Sequence, residues 1–166
     1  RDSHFPVHLI PKMGELGLFG LEAPEEFGGA GMGHEGFSYL CVAIEELGRV
    51  DQAMGITLEA GVGLGINPIQ TYGSQEQKER WLPDLLAGKA LAGFGLTEPE
   101  AGSDAGATRT RAVLEDGEWV VNGAKQFITN SGTDITSLVT VTAVTGADAN
   151  GKKEISTILV PADTPG

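Results

Sequence analysis

The residues best equipped for chemistry lie in one stretch, Phe94-Gly95-Leu96-Thr97-Glu98-Pro99-Glu100-Ala101-Gly102-Ser103-Asp104-Ala105-Gly106. Its apolar start reads as a strand ending at Leu96. The loop that follows offers a hydroxyl at Thr97, a proline that fixes the chain direction, and Gly102-Ser103, where backbone N–H groups can turn toward an anion. Such a loop suits the polar edge of a planar ring and a diphosphate. Gly, Ser and Asp are also general turn residues, so by residue type alone an ordinary polar turn explains the stretch as well.

Other candidates are weaker. Gly31-Met32-Gly33-His34-Glu35-Gly36 matches the dinucleotide-binding pattern G-x-G-x-x-G letter for letter. That pattern binds phosphate only when a buried strand feeds its first glycine, and here Pro24-Glu25-Glu26-Phe27-Gly28-Gly29 precedes it, so it reads as a loop entering a helix. His4, His8 and His34 have no metal-ligand spacing with one another or with Cys41, and no metal is expected. Cys41, the single cysteine, shares a helix face with Phe37 and Ile44, which predicts a small buried hydrophobe rather than a reactive thiol. Glu25-Glu26 and Glu45-Glu46 read as solvated carboxylates, because adjacent helix positions diverge.

The elements that must position the loop change character along the chain. Residues 1–90 read as helical. Phe37, Leu40, Cys41, Ile44 and Leu47 share one face of a helix that Gly48 should stop. Ala53 to Ile66 is apolar but holds Gly55, Gly61, Gly63 and Gly65, so a helix there must pack closely on its neighbours. Asn67-Pro68 predicts a cap and a fresh helix start, with Gly73 as its exit. Ser74-Gln75-Glu76-Gln77 is a capping box opening a helix that Pro83 should interrupt or restart and Gly88 should close.

Beyond residue 90 the periodicity alternates. Strands are expected at Thr108 to Leu114 and Trp119 to Val121 around an Asp116-Gly117 turn, then, after Asn122-Gly123, along Gln126 to Thr129, Ser137 to Thr145 and Glu154 to Val160. The fold class is α+β: an all-α amino-terminal domain over 1–90, then an antiparallel sheet or barrel-like domain over 91–166 that is expected to be cut short at its end.

Composition narrows the partners. The 166 residues are 40% hydrophobic and 20% charged, and no apolar run approaches the roughly 20 residues that span a bilayer. The net charge of −12 is spread over both halves, 6 basic and 13 acidic residues before position 91 and 5 and 10 after it, which argues against a nucleic-acid partner. One cysteine agrees with a reducing compartment. The start, Arg-Asp-Ser-His-Phe-Pro, has no signal-peptide character, and the loop-like end is expected of a fragment.

Leu96-Thr97-Glu98-Pro99 with Gly102-Ser103-Asp104 resembles the signature of the acyl-CoA dehydrogenase family. Further segments agree in order: Gly17-Leu18-Phe19-Gly20, Pro24 to Gly29, Glu45-Glu46-Leu47, Tyr72 to Lys78, and Trp119 to Asn130. The resemblance covers essentially the whole chain and implies a helical domain followed by the family's middle β domain, leaving its carboxy-terminal helical domain unaccounted for.

The resemblance further implies FAD as cofactor, with Phe94, Leu96, Thr97, Gly102 and Ser103 in one contact and Phe127, Ile128 and Thr129 in a second. Ser103 would also approach the acyl-CoA substrate. Where the family often has Trp, this chain has Phe127, which keeps an apolar face but loses the indole donor. The implied reaction is α,β-dehydrogenation of an acyl-CoA thioester to a 2-enoyl-CoA. The implied catalytic base lies beyond residue 166, so no catalytic residue is assigned in this chain, and the isolated chain is expected to be inactive. Glu98 and Asp104 are expected to set backbone geometry. An electron-transfer flavoprotein partner, a homodimer or homotetramer, and a cytoplasmic or mitochondrial-matrix location are also implied. An acyl-CoA oxidase or flavin monooxygenase on the same scaffold, or a non-catalytic acyl-CoA-binding module, remain alternatives.

Overall fold

A computed structural model describes residues 4–166; Arg1 to Ser3, part of the start read above as lacking signal-peptide character, lie outside the described residues. The helices come first: α1 Ile10–Glu15, α2 His34–Val50, α3 Gln52–Glu59, a π-helical segment Ala60–Ile66, α4 Asn67–Tyr72 and α5 Gln75–Leu86. The strands follow: β1 Leu91–Gly95, β2 Arg111–Glu115, β3 Glu118–Asn122, β4 Thr136–Ala147 and β5 Lys153–Pro161. Among the described residues, no helix is long and apolar enough to cross a membrane.

Two local signals act as expected. Ser74 Oγ accepts from the Gln77 amide at 3.2 Å while Gln77 Oε1 accepts from the Ser74 amide at 2.9 Å, completing the capping box that starts α5. Asp116 and Gly117 adopt φ of 50° and 87°, the left-handed pair that a two-residue hairpin between β2 and β3 requires.

Other local expectations are corrected. Gly48 does not stop α2, which runs on to Val50; Asp51 ends it and accepts from the Ala53 amide at 2.9 Å to cap α3. The bare backbone at Gly48 serves packing, since a Cβ on Gly55 of α3 would lie 3.5 Å from the Gly48 nitrogen and 3.3 Å from the Ile44 carbonyl oxygen. The buried face of α2 is narrower than its periodicity implied: Gly36 and Leu40 are buried, but Phe37 is 58% exposed and Cys41 is exposed, so Cys41 is not a core hydrophobe.

Asn67 is no cap either. It is helical itself (φ −56°, ψ −43°), and its amide bonds the Val62 carbonyl five residues back, so the chain coils from Gln52 to Tyr72 without a break. The wider π spacing accommodates Pro68, which has no N–H to donate. Gly73 ends the run as expected, and Pro83 sits inside an unbroken α5.

The strands form one mixed sheet in the order β1-β4-β2-β3, with β5 on the other edge of β4. An antiparallel sheet was expected; the β2–β3 and β4–β5 pairs are antiparallel, but β1 and β2 both run parallel to β4. The reason is geometric. β1 pairs with the first half of β4 and Arg111 of β2 pairs with Val144 further along it, so β1 and β2 follow one another along a single edge. The chain between them, residues 96–110, is thrown out as an excursion from that edge. Gln126 to Thr129, expected as a strand, is irregular and folds toward this excursion instead.

One apolar core joins the helices to the sheet. Ile10, Phe19, Leu58, Ile69 and Leu82 cluster with Leu91, Ala92 and Leu138, all nearly solvent-free. Fixing β1 against the helices in this way sets Phe94 of β1 opposite Ala60 and Leu64 of the π-helical segment.

Candidate functional site

Where β1 leaves the sheet, a cleft of about 200 Å³ opens between the excursion and the helices, lined by Phe94, Leu96, Thr97, Phe127, Ile128, Thr129, Ala60 and Leu64. Six of the eight sequence-derived site residues meet there. Gly102 and Ser103 do not line it; they are exposed further along the excursion, past a small closure in which the Glu98 amide donates to Ala101 at 2.8 Å and the Ala101 amide donates back at 3.2 Å.

Glu98 holds the excursion closed. Its side chain, 3% exposed, accepts the Arg109 amide at 2.7 Å, the Thr110 amide at 3.0 Å and Lys125 Nζ at 2.7 Å. The carboxylate thus bonds the far end of the loop that its own backbone begins. Burial pushes its pKa up, but the Lys125 ammonium and the two amides outweigh burial and hold it at about 2. The expectation that Glu98 sets backbone geometry agrees with these contacts.

Lys125 was not singled out by sequence reasoning, although it is the busiest side chain near the cleft. Its Nζ donates to the Leu96 carbonyl at 3.1 Å, to Glu98 Oε1 and to Thr142 Oγ1 at 3.0 Å, which uses all three ammonium protons. A lone lysine after a strand carries no sequence signal of burial. Ala60 and Leu64 were also missed; the glycine-rich run around them signalled close packing, and nothing in it pointed to a cleft wall.

The segment opposite the loop is held by the loop itself. The Gln126 amide donates to the Thr97 carbonyl at 2.9 Å and Gln126 Nε2 to the Glu98 carbonyl at 3.3 Å, while Asn130 Nδ2 reaches the Thr57 carbonyl of α3 at 3.1 Å. Between these anchors Phe127 is held at φ 59° with its ring 85% exposed. A bulky residue in the left-handed region is strained, and an exposed phenyl ring gains no burial to offset it. The amides of Thr97, Phe127, Ile128 and Thr129 have no acceptor among the described residues. The cleft therefore combines apolar walls, one bare aromatic face and a row of unspent N–H donors.

Comparison with known proteins gives these features a context. The family model for the acyl-CoA dehydrogenase N-terminal domain matches residues 1–89, and that for the acyl-CoA dehydrogenase middle domain matches residues 93–166. A relative named "Probable acyl-CoA dehydrogenase YngJ" from Bacillus subtilis (strain 168) is 48% identical over 166 residues, covering 100% of this chain and 42% of the relative. The structure of butyryl-CoA dehydrogenase from Megasphaera elsdenii superposes with a TM-score of 0.87 at 38% identity, covering 96% of this chain and 41% of that one. That of an acyl-CoA dehydrogenase complexed with FAD from Bacillus anthracis gives 0.81 at 38% identity, covering 95% and 25%. The chain thus spans about two-fifths of the length of the curated relatives it matches. With both family models together accounting for nearly every residue, and with the loop and cleft in place, the chain belongs to the acyl-CoA dehydrogenase family.

Proposed function

We propose that this chain is the amino-terminal helical domain (1–90) and the middle β domain (91–166) of a flavin-dependent acyl-CoA dehydrogenase that converts an acyl-CoA thioester to its 2-enoyl-CoA. The observation that carries the reading is the pairing of strained, bare Phe127 with the unspent amides of Thr97 and Phe127 to Thr129 around one cleft. Backbone strain of this kind is held in place by the surrounding structure and clusters at active sites and ligand clamps.

FAD fits these residues. Phe94, Leu96, Phe127 and Ile128 would meet the apolar body of the ring, while Thr97, Thr129 and the free amides match a ring edge rich in acceptors. Gly102 and Ser103, exposed past the Glu98 closure, would serve the diphosphate, and Ser103 also the acyl-CoA. When bound, FAD would supply the acceptor for the hydride that leaves the β-carbon of the acyl group.

The chain's own residues then bind, orient and exclude water. None of them is assigned as the base that removes the α-proton. Glu98 is unsuited to that task, since a carboxylate held at about 2 and engaged by three donors is a poor proton acceptor near neutral pH. A homo-oligomer, an electron-transfer flavoprotein as oxidant, and a cytosolic or matrix location complete the proposal.

The test is flavin binding and turnover by the protein at its full encoded length. Bound FAD and oxidation of a short acyl-CoA with an artificial electron acceptor are the expected results, whereas residues 1–166 alone should turn nothing over. A full-length protein that takes up no flavin would overturn the proposal.

A further inference from the structure

The Leu96–Thr97 peptide group has its two ends in different surroundings. Its carbonyl accepts Lys125 Nζ at 3.1 Å, and its N–H, on Thr97, has no acceptor among the described residues and belongs to a cleft-lining residue. In a trans peptide the C=O and N–H point in opposite directions, so whatever fixes one aims the other. Lys125 is itself immobilised: its side chain is 10% exposed and its ammonium also binds Glu98 and Thr142. Its stem lies over Gly95, where an added Cβ would come within 3.2 Å of Lys125 Cγ.

From this geometry we infer that Lys125 is a positioning residue that acts through the Leu96–Thr97 peptide, aiming the Thr97 N–H into the cleft and strengthening it as a donor to the bound cofactor. A cation on a peptide oxygen draws electron density from the same peptide's nitrogen, and hydrogen bonds in series polarise one another more in a low-dielectric setting. Such a donor is worth more to a ring edge that has gained negative charge than to the oxidised edge. Lys125 therefore favours the reduced cofactor without touching it. The inference rests on the flavin reading above.

Full-length protein is loaded with FAD, and the midpoint potential of the bound flavin, its oxidised-state dissociation constant and the thermal midpoint are measured for the unaltered protein, Lys125→Met and Lys125→Gln. Gln keeps donors but no charge, which guards against a Met variant that does not fold. The expected result is folded, flavin-binding variants whose preference for reduced over oxidised flavin falls about tenfold, a potential lower by about 30 mV for a two-electron couple. Lys125→Arg should recover part of the shift. An unchanged potential in a folded variant overturns the inference, and so does failure of both neutral variants to fold, because Lys125 would then be a structural strut. Absence of flavin from the unaltered protein would instead count against the proposed function.

Discussion

Gly65 of the π segment lies against Ala92 of β1 so closely that a Cβ on it would sit 2.9 Å from the Ala92 carbonyl oxygen and 3.0 Å from the Ala92 Cβ. This contact sets the spacing between the helical run and the sheet, and so between Leu64 and Phe94 across the cleft. Replacing Gly65 by Val should push the two apart, lowering stability by about 1–3 kcal/mol as overpacking does. The urea midpoint of the variant should fall, and its flavin affinity with it. A stable variant with full affinity would mean that the contact does not govern the cleft.

Glu98 should give the protein a distinct acid dependence. Its pKa is held at about 2 in the folded chain against an ordinary value of 4.5, so the folded state binds its proton less readily than the unfolded state. Its stabilising effect is therefore complete above about pH 4.5 and disappears as the pH falls toward 2, a total of about 3 kcal/mol. Unfolding free energies measured from pH 6 down to pH 3 should fall more steeply for the natural sequence than for Glu98→Gln. Equal slopes would show that the carboxylate is not so engaged.

Phe127 should display a conflict between stability and binding. Asn tolerates the left-handed region better than Phe, and a ring 85% exposed gives up little burial on replacement. Phe127→Asn should leave stability unchanged or raise it by up to about 1 kcal/mol, while flavin affinity drops. Denaturation and flavin titration of the same sample check both halves, and a variant that binds flavin as well as the parent would remove Phe127 from the site.

Ser74 offers a control away from the cleft. Ser74→Ala removes the side-chain half of the capping box and should cost about 1 kcal/mol with flavin affinity unchanged. A matching loss of affinity would show that the start of α5 is coupled to the cleft.

Much of this molecule was readable along the chain because the signals are local. A capping serine with glutamine three residues on needs nothing beyond its own turn, and neither does an Asp-Gly hairpin. The excursion after β1 was legible by its residue types, and the resemblance of Thr97 and Phe127 to Thr129 to one family joined two segments that periodicity alone would have kept apart.

What only the tertiary structure decided depends on partners distant in sequence. Gly48 reads as a stop until α3 is packed beside it, and Asn67-Pro68 reads as a new start until the π turn carries the helix through. The face of α2 that reads as core is left partly bare at Phe37 and Cys41. The parallel course of β1 and β2 follows from their sharing one edge of β4, a pairing that alternation within a strand cannot specify. Lys125 is the sharpest case: a lysine is solvated by default, and its burial is tolerable only because folding brings the Leu96 carbonyl, Glu98 and Thr142 to its three protons from 17 to 29 residues away.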